Sequence, residues 1–137
     1  MLRRVAPPRP SRPTDAELVV LRILWAKGPS TVRQVYEALT EDRELGYTTA
    51  LKVLQVMTDK GLTTREPLGA QQHVYRARYS ETQTQRQLLK DLVERAFGGS
   101  MSQLFMQALA TKKPSSQELR AIRRLLALDV TTETDRD

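Results

Sequence analysis

The chain has 137 residues, of which 39% are hydrophobic, 28% are charged and 5% are aromatic, and its formal net charge is +6. It contains no cysteine and a single histidine, His73, so disulfides, thiolate chemistry and any metal site built on two imidazoles are excluded within one chain. Residues 1–80 hold 13 Lys and Arg against 8 Asp and Glu, whereas residues 81–137 hold 9 against 8. This asymmetry indicates either that the first part of the chain meets a polyanion or that it carries ordinary surface charge that favours solubility.

No apolar run approaches the ~20 residues of a membrane-spanning helix, and the N-terminus lacks the apolar core of a signal peptide. We therefore expect a cytoplasmic protein without membrane insertion. Residues 1–13 contain four arginines, four prolines and no acidic residue. This composition predicts a disordered or extended basic arm, which either follows DNA phosphates or has no role.

Three short helices are predicted after the arm. Capping boxes at Thr14–Glu17 and Thr31–Gln34 begin the first two, and Thr48 or Thr49 is expected to cap the third. Glycines end the first and the third helix. The predicted helices cover residues 14–27, 31–41 and 48–60.

The third helix has two distinct faces. Ala50, Val53, Leu54 and Met57 fall on one side at about 100° per residue, which predicts a buried stripe. The open side is polar and has two further residues on its flank. It comprises Thr48, Lys52, Gln55 and Asp59, with Thr49 and Val56 on the flank.

After Gly61 the pattern changes to β-favouring residues. Residues 62–66 and 73–79 predict two short strands, joined by a turn over residues 67–72 in which Gly69 permits a tight bend. Three short helices followed by a two-stranded hairpin are the order of a winged helix–turn–helix.

The rest of the chain predicts three more helices. Ser80 and Ser100 cap the first two, Gly98 and Gly99 separate them, and a capping box at Ser115–Glu118 opens the last. Their apolar stripes exceed what three short helices can bury among themselves, so we predict a homodimer. The candidate dimerisation residues are Leu88, Leu92, Val93, Phe97, Leu104, Phe105, Leu109, Leu119, Ile122, Leu125 and Leu126.

The predicted fold is mainly α with a small β-hairpin, in which an N-terminal winged helix–turn–helix is followed by a C-terminal helical dimerisation lobe. The predicted organisation is a basic arm over residues 1–13, a winged-helix DNA-binding domain over 14–79, a helical dimerisation domain over 80–128 and a polar tail over 129–137.

A helix–turn–helix reader places its second helix in the major groove, led by the N-terminal residues of that helix. Threonine, lysine and glutamine are side chains that bond phosphates or base edges, and long cations on a wing reach phosphates or a narrow minor groove. Gln71, Gln72 and His73 flank the wing tip. The candidate DNA-binding residues are Thr31, Tyr47, Thr48, Thr49, Lys52, Gln55, Val56, Arg65, Arg76 and Arg78.

Two other classes of function remain open at this point. The winged helix is alternatively a protein-interaction module whose basic face binds an acidic protein. A small metal-dependent hydrolase would use the acidic loop of Glu41, Asp42 and Glu44, but Arg43 interrupts this loop and no spaced partner carboxylates accompany it. We therefore predict no catalytic residue, no metal and no cofactor.

Four stretches of the chain resemble the penicillinase and methicillin-resistance repressors, a family that has copper-responsive relatives. Residues 17–25, ELVVLRILW, are similar to the first helix, which ends in tryptophan. Residues 47–62, YTTALKVLQVMTDKGL, resemble the recognition helix. The stretches HVYR at 73–76 and FGGS at 97–100 resemble the second wing strand and the break in the dimerisation lobe.

The resemblance implies a homodimeric transcriptional repressor that binds a two-fold operator through its winged helices. It places base reading near Thr48 and Thr49. Many relatives carry lysine at the first of these positions and arginine at the position of Val56, so this chain should prefer a different DNA sequence.

The resemblance also implies a route of induction. Well-known relatives are cleaved at an Asn–Phe bond in the short helix of the dimer lobe, after a membrane sensor protease is activated. This chain contains no asparagine, and its matching region, residues 104–109, reads LFMQAL. A protease partner would therefore cut a different bond, or release would occur without cleavage. Copper-responsive relatives use a cysteine cluster, which the absence of cysteine excludes here.

Overall fold

The computed structural model describes residues 12–41 and 46–136, with side chains described as far as Leu128. Its elements are α1 (Asp15–Lys27), α2 (Val32–Thr40), α3 (Tyr47–Asp59), β1 (Thr63–Leu68), β2 (Gln72–Ala77), α4 (Glu81–Ala96), α5 (Met101–Thr111) and α6 (Ser116–Arg136). This order confirms the predicted fold class. Residues 1–11 of the predicted arm, and Asp42 and Glu44 of the acidic loop, lie outside the described residues.

The described chain divides into two compact units between Leu89 and Lys90, within α4. The core of the first unit is formed by one side of each of the first three helices, together with residues of the hairpin. Its buried hydrophobic residues are Val20, Leu21, Leu24, Val32, Val35, Leu39, Ala50, Leu54, Met57, Leu62 and Tyr75.

Side-chain caps begin the first two helices as predicted. Thr14 and Thr31 each accept a hydrogen bond from a backbone N–H three residues later, while Glu17 and Gln34 accept from the two capping N–H groups. The predicted cap of the third helix is wrong. α3 begins at Tyr47 with Gly46 as its N-cap and without a side-chain capping bond. The helix starts earlier because the N–H of Ala50 already bonds the carbonyl oxygen of Gly46, at 3.1 Å.

The hairpin is tighter than its predicted form. β1 and β2 pair antiparallel from Thr63 opposite Ala77 to Leu68 opposite Gln72, which shortens the connection to residues 69–71. Gly69 has φ +71°, a conformation that most side chains disfavour, and it allows this short turn. The strands were predicted over 62–66 and 73–79, so the type of element is confirmed and its ends differ by one or two residues.

A third strand-like segment joins the hairpin at Ser30, which the sequence did not predict. The N–H of Ser30 donates to the carbonyl oxygen of Tyr75 at 3.0 Å, and the N–H of Tyr75 donates back to Ser30 at 2.8 Å. The ring of Tyr75 is buried in the core. This bridge therefore attaches the wing to the connection between α1 and α2.

Two polar contacts fix α1 against the rest of the first unit. Glu17 is buried, and its Oε1 accepts from the Thr14 N–H at 2.9 Å and from Lys60 Nζ at 2.7 Å, which links the start of α1 to the end of α3. At the other end of α1, Trp25 Nε1 donates to the carbonyl oxygen of Tyr79 at 3.0 Å. Both ends of α1 are thus tied to segments distant in sequence.

The second unit buries very little of its apolar surface. Among the side chains described from residue 90 to residue 128, only Val93 is buried. Ser100 caps α5 and the Ser115–Glu118 capping box opens α6, as predicted. The backbone of α6 continues to Arg136, past the predicted start of the polar tail at residue 129, because no glycine or proline interrupts it.

The ion pair between Glu17 and Lys60 should stabilise the first unit measurably. We expect Lys60→Met to lower the free energy of unfolding by about 2 kcal/mol, because a buried carboxylate is left without its charged partner. The loss stays below the ~3–5 kcal/mol of a fully buried pair because the Lys60 side chain is 23% exposed. Urea denaturation near neutral pH measures it. Arg76→Met, which breaks an exposed pair with Glu66, is the matched control and should cost less than ~1 kcal/mol. Equal losses in the two variants would contradict this prediction.

The same pair should make stability depend on pH. Burial raises the pKa of Glu17, but the hydrogen bonds from Lys60 and Thr14 and the Lys60 charge outweigh it, so this pKa lies below its ordinary value of 4.5. Its contribution to stability is therefore fully present above that value and is lost as the pH falls below it. Unfolding of Glu17→Gln over this acid range should show a weaker pH dependence than unfolding of the natural sequence.

Candidate nucleic-acid interface

The exposed face of α3 carries the polar residues that the sequence singled out. Thr48, Thr49, Lys52 and Gln55 are all exposed. The opposite face is anchored in the core through Ala50, Leu54 and Met57. Because the buried stripe fixes how the helix is rotated, the polar face must point away from the core. The first unit therefore presents one contiguous polar helix face to a partner.

The N-terminal end of α3 is also arranged for a polar partner. It has no side-chain cap, so the partial positive charge of its first-turn N–H groups is not neutralised by a capping oxygen. Tyr47, the first residue of the helix, is 43% exposed and therefore lies at the surface.

Tyr47 contacts two residues of α2. Its ring lies edge-on to the ring of Tyr36, with centroids 5.7 Å apart, and the Arg33 guanidinium lies 5.7 Å from the Tyr47 ring centroid. Arg33 was missed by the sequence analysis. The signal that would have found it is its place on the outward side of α2, one turn before Tyr36, in the half of the chain that holds the positive charge.

A cavity of about 300 Å³ separates the start of α1 from the N-terminal half of α3. The α1 side is lined by Thr14, Ala16 and Glu17, and the α3 side is lined by Thr48, Thr49, Lys52, Val53 and Val56. Val56 is 40% exposed and borders this cavity on the flank of the helix, where it was predicted. The first turn of α1 therefore lies beside the candidate reading face, which the sequence did not indicate.

The three arginines of the wing do not lie on one face. Cross-strand partners share a face and successive pairs alternate, so Arg65, opposite Tyr75, lies on the other side of the hairpin from Arg76, opposite Thr64. Arg76 Nε donates to Glu66 Oε1 at 3.2 Å. Arg78 stacks on the ring of Tyr79, 5.6 Å from its centroid, beyond the end of β2. The wing therefore offers cations at its two faces and its base, while Gln71, Gln72 and His73 are exposed near its tip.

Thr31 has a structural role in addition to its predicted one. Its side-chain oxygen accepts from the Gln34 N–H at 3.2 Å and thereby caps α2. The hydroxyl proton remains able to donate to an anion at the beginning of that helix.

Two kinds of site are absent from the described part of the chain. No group of three or more His, Asp and Glu side chains there is placed to hold a metal ion. No described helix has the length and apolar character that crossing a membrane requires.

Three packed helices, a hairpin wing and an outward polar face on the third helix define a winged-helix protein of the DNA-binding class. Residues 13–128 match the sequence profile of the penicillinase repressor family. The chain belongs to this family of transcriptional regulators.

Two curated relatives match a shorter stretch. Both are named transcriptional regulator BlaI and come from Mycobacterium tuberculosis, strains CDC 1551 / Oshkosh and ATCC 25618 / H37Rv. Each is 49% identical to this chain over 49 residues, which are 35% of this chain and 36% of the relative. The match thus spans about a third of the length of these relatives.

The flank of α3 allows a test by gain of charge. Val56→Arg places a long cation at an exposed position beside the polar face, so we expect tighter binding to duplex DNA. The slope of log K against log salt concentration should become steeper by about 0.9 for each bound subunit. Titration at several salt concentrations measures both. Val56→Gln, of similar length but uncharged, should leave the slope unchanged. If the Val56→Arg slope also stays unchanged, α3 does not lie against the DNA backbone on this flank.

Proposed function

We propose that this protein is a homodimeric DNA-binding repressor of transcription, which acts by occupying a two-fold operator within a promoter. The observation that carries the proposal is the rigidly anchored α3, whose polar face and uncapped N-terminus are exposed beside a basic wing. Membership of a family of transcriptional regulators supports it. No catalytic residue and no cofactor enter this function.

In the proposed complex the N-terminal half of α3 enters the major groove. Thr48 and Thr49 meet base edges or phosphates first, and on the same side Lys52 follows one turn later and Gln55 two turns later. The wing arginines bind the backbone next to the reading helix and carry no sequence information. Because relatives with lysine and arginine at positions 48 and 56 present more charge, this chain should depend more on the hydroxyl and amide groups of α3.

The second unit supports dimerisation. Ten of the eleven candidate residues keep part or most of their surface in the single chain, and Val93 is the one already buried. Leu125 is 64% and Leu126 is 55% exposed. Apolar exposure of this extent is typical of an interaction surface, and a second copy of the chain would provide the matching one. Three exposed residues of the second unit outside the predicted set add to its apolar surface, namely Met101, Met106 and Leu128.

We propose that induction acts through this dimerisation surface. α5, the helix that corresponds to the cleaved region of well-known relatives, contains no buried residue in the single chain. Its Leu104–Leu109 segment lacks an Asn–Phe bond. A sensor protease, or a protease downstream of it, would therefore cut another bond of α5, and an inducer that separates the dimer without cleavage would have the same effect on DNA binding.

If α3 reads the base sequence, variants of its polar face should affect binding to the operator more than binding to random duplex, whereas a wing variant should affect both equally. Thr49→Ala and Gln55→Ala should weaken binding to the operator by about 5- to 100-fold while changing binding to random duplex much less, because base contacts are worth roughly 1–3 kcal/mol each. Arg76→Ala should weaken both by the same factor. Operator fragments selected from genomic DNA and a random duplex, titrated at one salt concentration, measure the ratio.

Two outcomes would point elsewhere. An unchanged ratio in all three variants would mean that α3 is not the reader. Binding that does not distinguish duplex DNA from an acidic protein at the same salt concentration would favour the protein-interaction module instead.

The dimer predicts a clear result in solution. Light scattering should give twice the chain mass of 15.6 kDa at micromolar concentration without DNA. Leu125→Asp should shift the mass toward the monomer, because it buries an unpaired charge in the interface. Arg120→Gln changes the net charge by the same amount at an exposed position on the far side of α6 and should leave the dimer intact. A natural chain that scatters as a monomer would contradict the proposed assembly.

A further inference from the structure

A small cluster at the junction of α2 and α3 joins Tyr47, a candidate DNA-binding residue, to two residues of α2 that have no assigned role. Arg33 and Tyr36 extend from α2, and Tyr47 begins α3. The Tyr36 and Tyr47 rings make a T-shaped contact with centroids 5.7 Å apart, and the Arg33 guanidinium lies over the Tyr47 ring, 5.7 Å from its centroid. The cluster therefore joins the helix that crosses the DNA backbone in such motifs to the first residue of the reading helix.

The contacts of Arg33 are too exposed to contribute much to the stability of the fold. Its guanidinium lies 3.7 Å from Glu37 Oε1, and the two side chains are 68% and 62% exposed. Exposed ion pairs of this type contribute little to stability. The Arg33 guanidinium nevertheless lies over the Tyr47 ring, 5.7 Å from its centroid, and this cation–π attraction favours positions beside the start of α3. Arg33 is thus a cation held in place and weakly neutralised, beside the helix end that should enter the groove.

We propose that Arg33 binds a DNA backbone phosphate next to the base pairs read by α3, that Tyr47 positions its guanidinium, and that Glu37 competes with the phosphate in the free protein. This inference rests on the proposed function. An arginine guanidinium binds phosphate oxygens through two parallel hydrogen bonds, which the exposed carboxylate at 3.7 Å does not match. On DNA, Arg33 exchanges Glu37 for the phosphate and keeps its contact with Tyr47.

The arrangement has a consequence for Glu37 that a purely structural pair would not have. Removing the carboxylate frees Arg33 and should tighten binding, whereas removing Arg33 should weaken it. The gain from Glu37→Gln should also require Arg33, because the two residues act on the same phosphate contact.

A salt titration with the full chain and a mixed-sequence duplex of about three helical turns tests this without knowledge of the operator. Arg33→Ala should raise Kd at low salt by at least ~5-fold and lower the slope of log K against log salt by about 0.9 per bound subunit. Lys113→Ala, which removes one exposed charge from the α5–α6 connection, is the matched control and should leave the slope unchanged.

Glu37→Gln should lower Kd by about 2- to 3-fold, and this gain should vanish in the Arg33→Ala background. Tyr47→Leu, which removes the ring beside Arg33, should lower the slope more than Tyr47→Phe, which keeps the ring. A natural slope in Tyr47→Leu would overturn the positioning role of Tyr47.

The same titrations distinguish failure of this inference from failure of the proposed function. If the natural chain binds the duplex but Arg33→Ala keeps its slope, or if Glu37→Gln gives the same gain with and without Arg33, the phosphate contact is wrong and the repressor function stands. If the natural chain binds no duplex at all, both are wrong.

Discussion

The interface depends on how the apolar stripe of α3 is packed. Ala50, Leu54 and Met57 are buried completely, so the helix has no freedom to rotate about its axis without exposing them. Burial of a side chain such as leucine or methionine is worth roughly 1.5–3 kcal/mol, which makes such a rotation far more costly than any single polar contact on the opposite face. Thr49 and Gln55 can therefore be aimed at a partner by residues that never touch it.

Polar contacts around the buried stripe of α3 hold the neighbouring helix α1 and the hairpin in place. The bond between Lys60 and Glu17 ties the last turn of α3 to the start of α1, where a cavity separates the two helices. The Ser30 bridge holds β2 through Tyr75, so the wing has a fixed position although its tip is exposed. The main effect of these contacts is to fix the wing and α1 relative to α3, because a reading helix and a wing must contact one duplex together.

Local patterns in the sequence predicted most of the fold because their physical causes are local. Periodicity identified the stripe of α3, and residues three apart identified the caps at Thr14 and Thr31. The features that were missed depend on pairs distant along the chain. The Ser30 bridge, the Glu17–Lys60 pair and the placement of Arg33 on the Tyr47 ring arise only when helices and hairpin pack together. At the candidate site, sequence named the polar residues of α3 and the wing arginines but not their distribution over two faces of the hairpin.

The two units differ in how much of their apolar surface they bury within one chain, and this difference suggests how regulation would work. The first unit encloses its own hydrophobic core, so we expect it to fold without a second copy. The second unit leaves most of its described apolar side chains exposed, so in the proposed dimer its order depends on the partner. One winged helix makes few base contacts, but a linked second copy binds its half-site at an effective concentration on the order of millimolar. Whatever separates the second units would remove that advantage while leaving each reading helix intact, so the repressor would be released from DNA without any change in the residues that contact it.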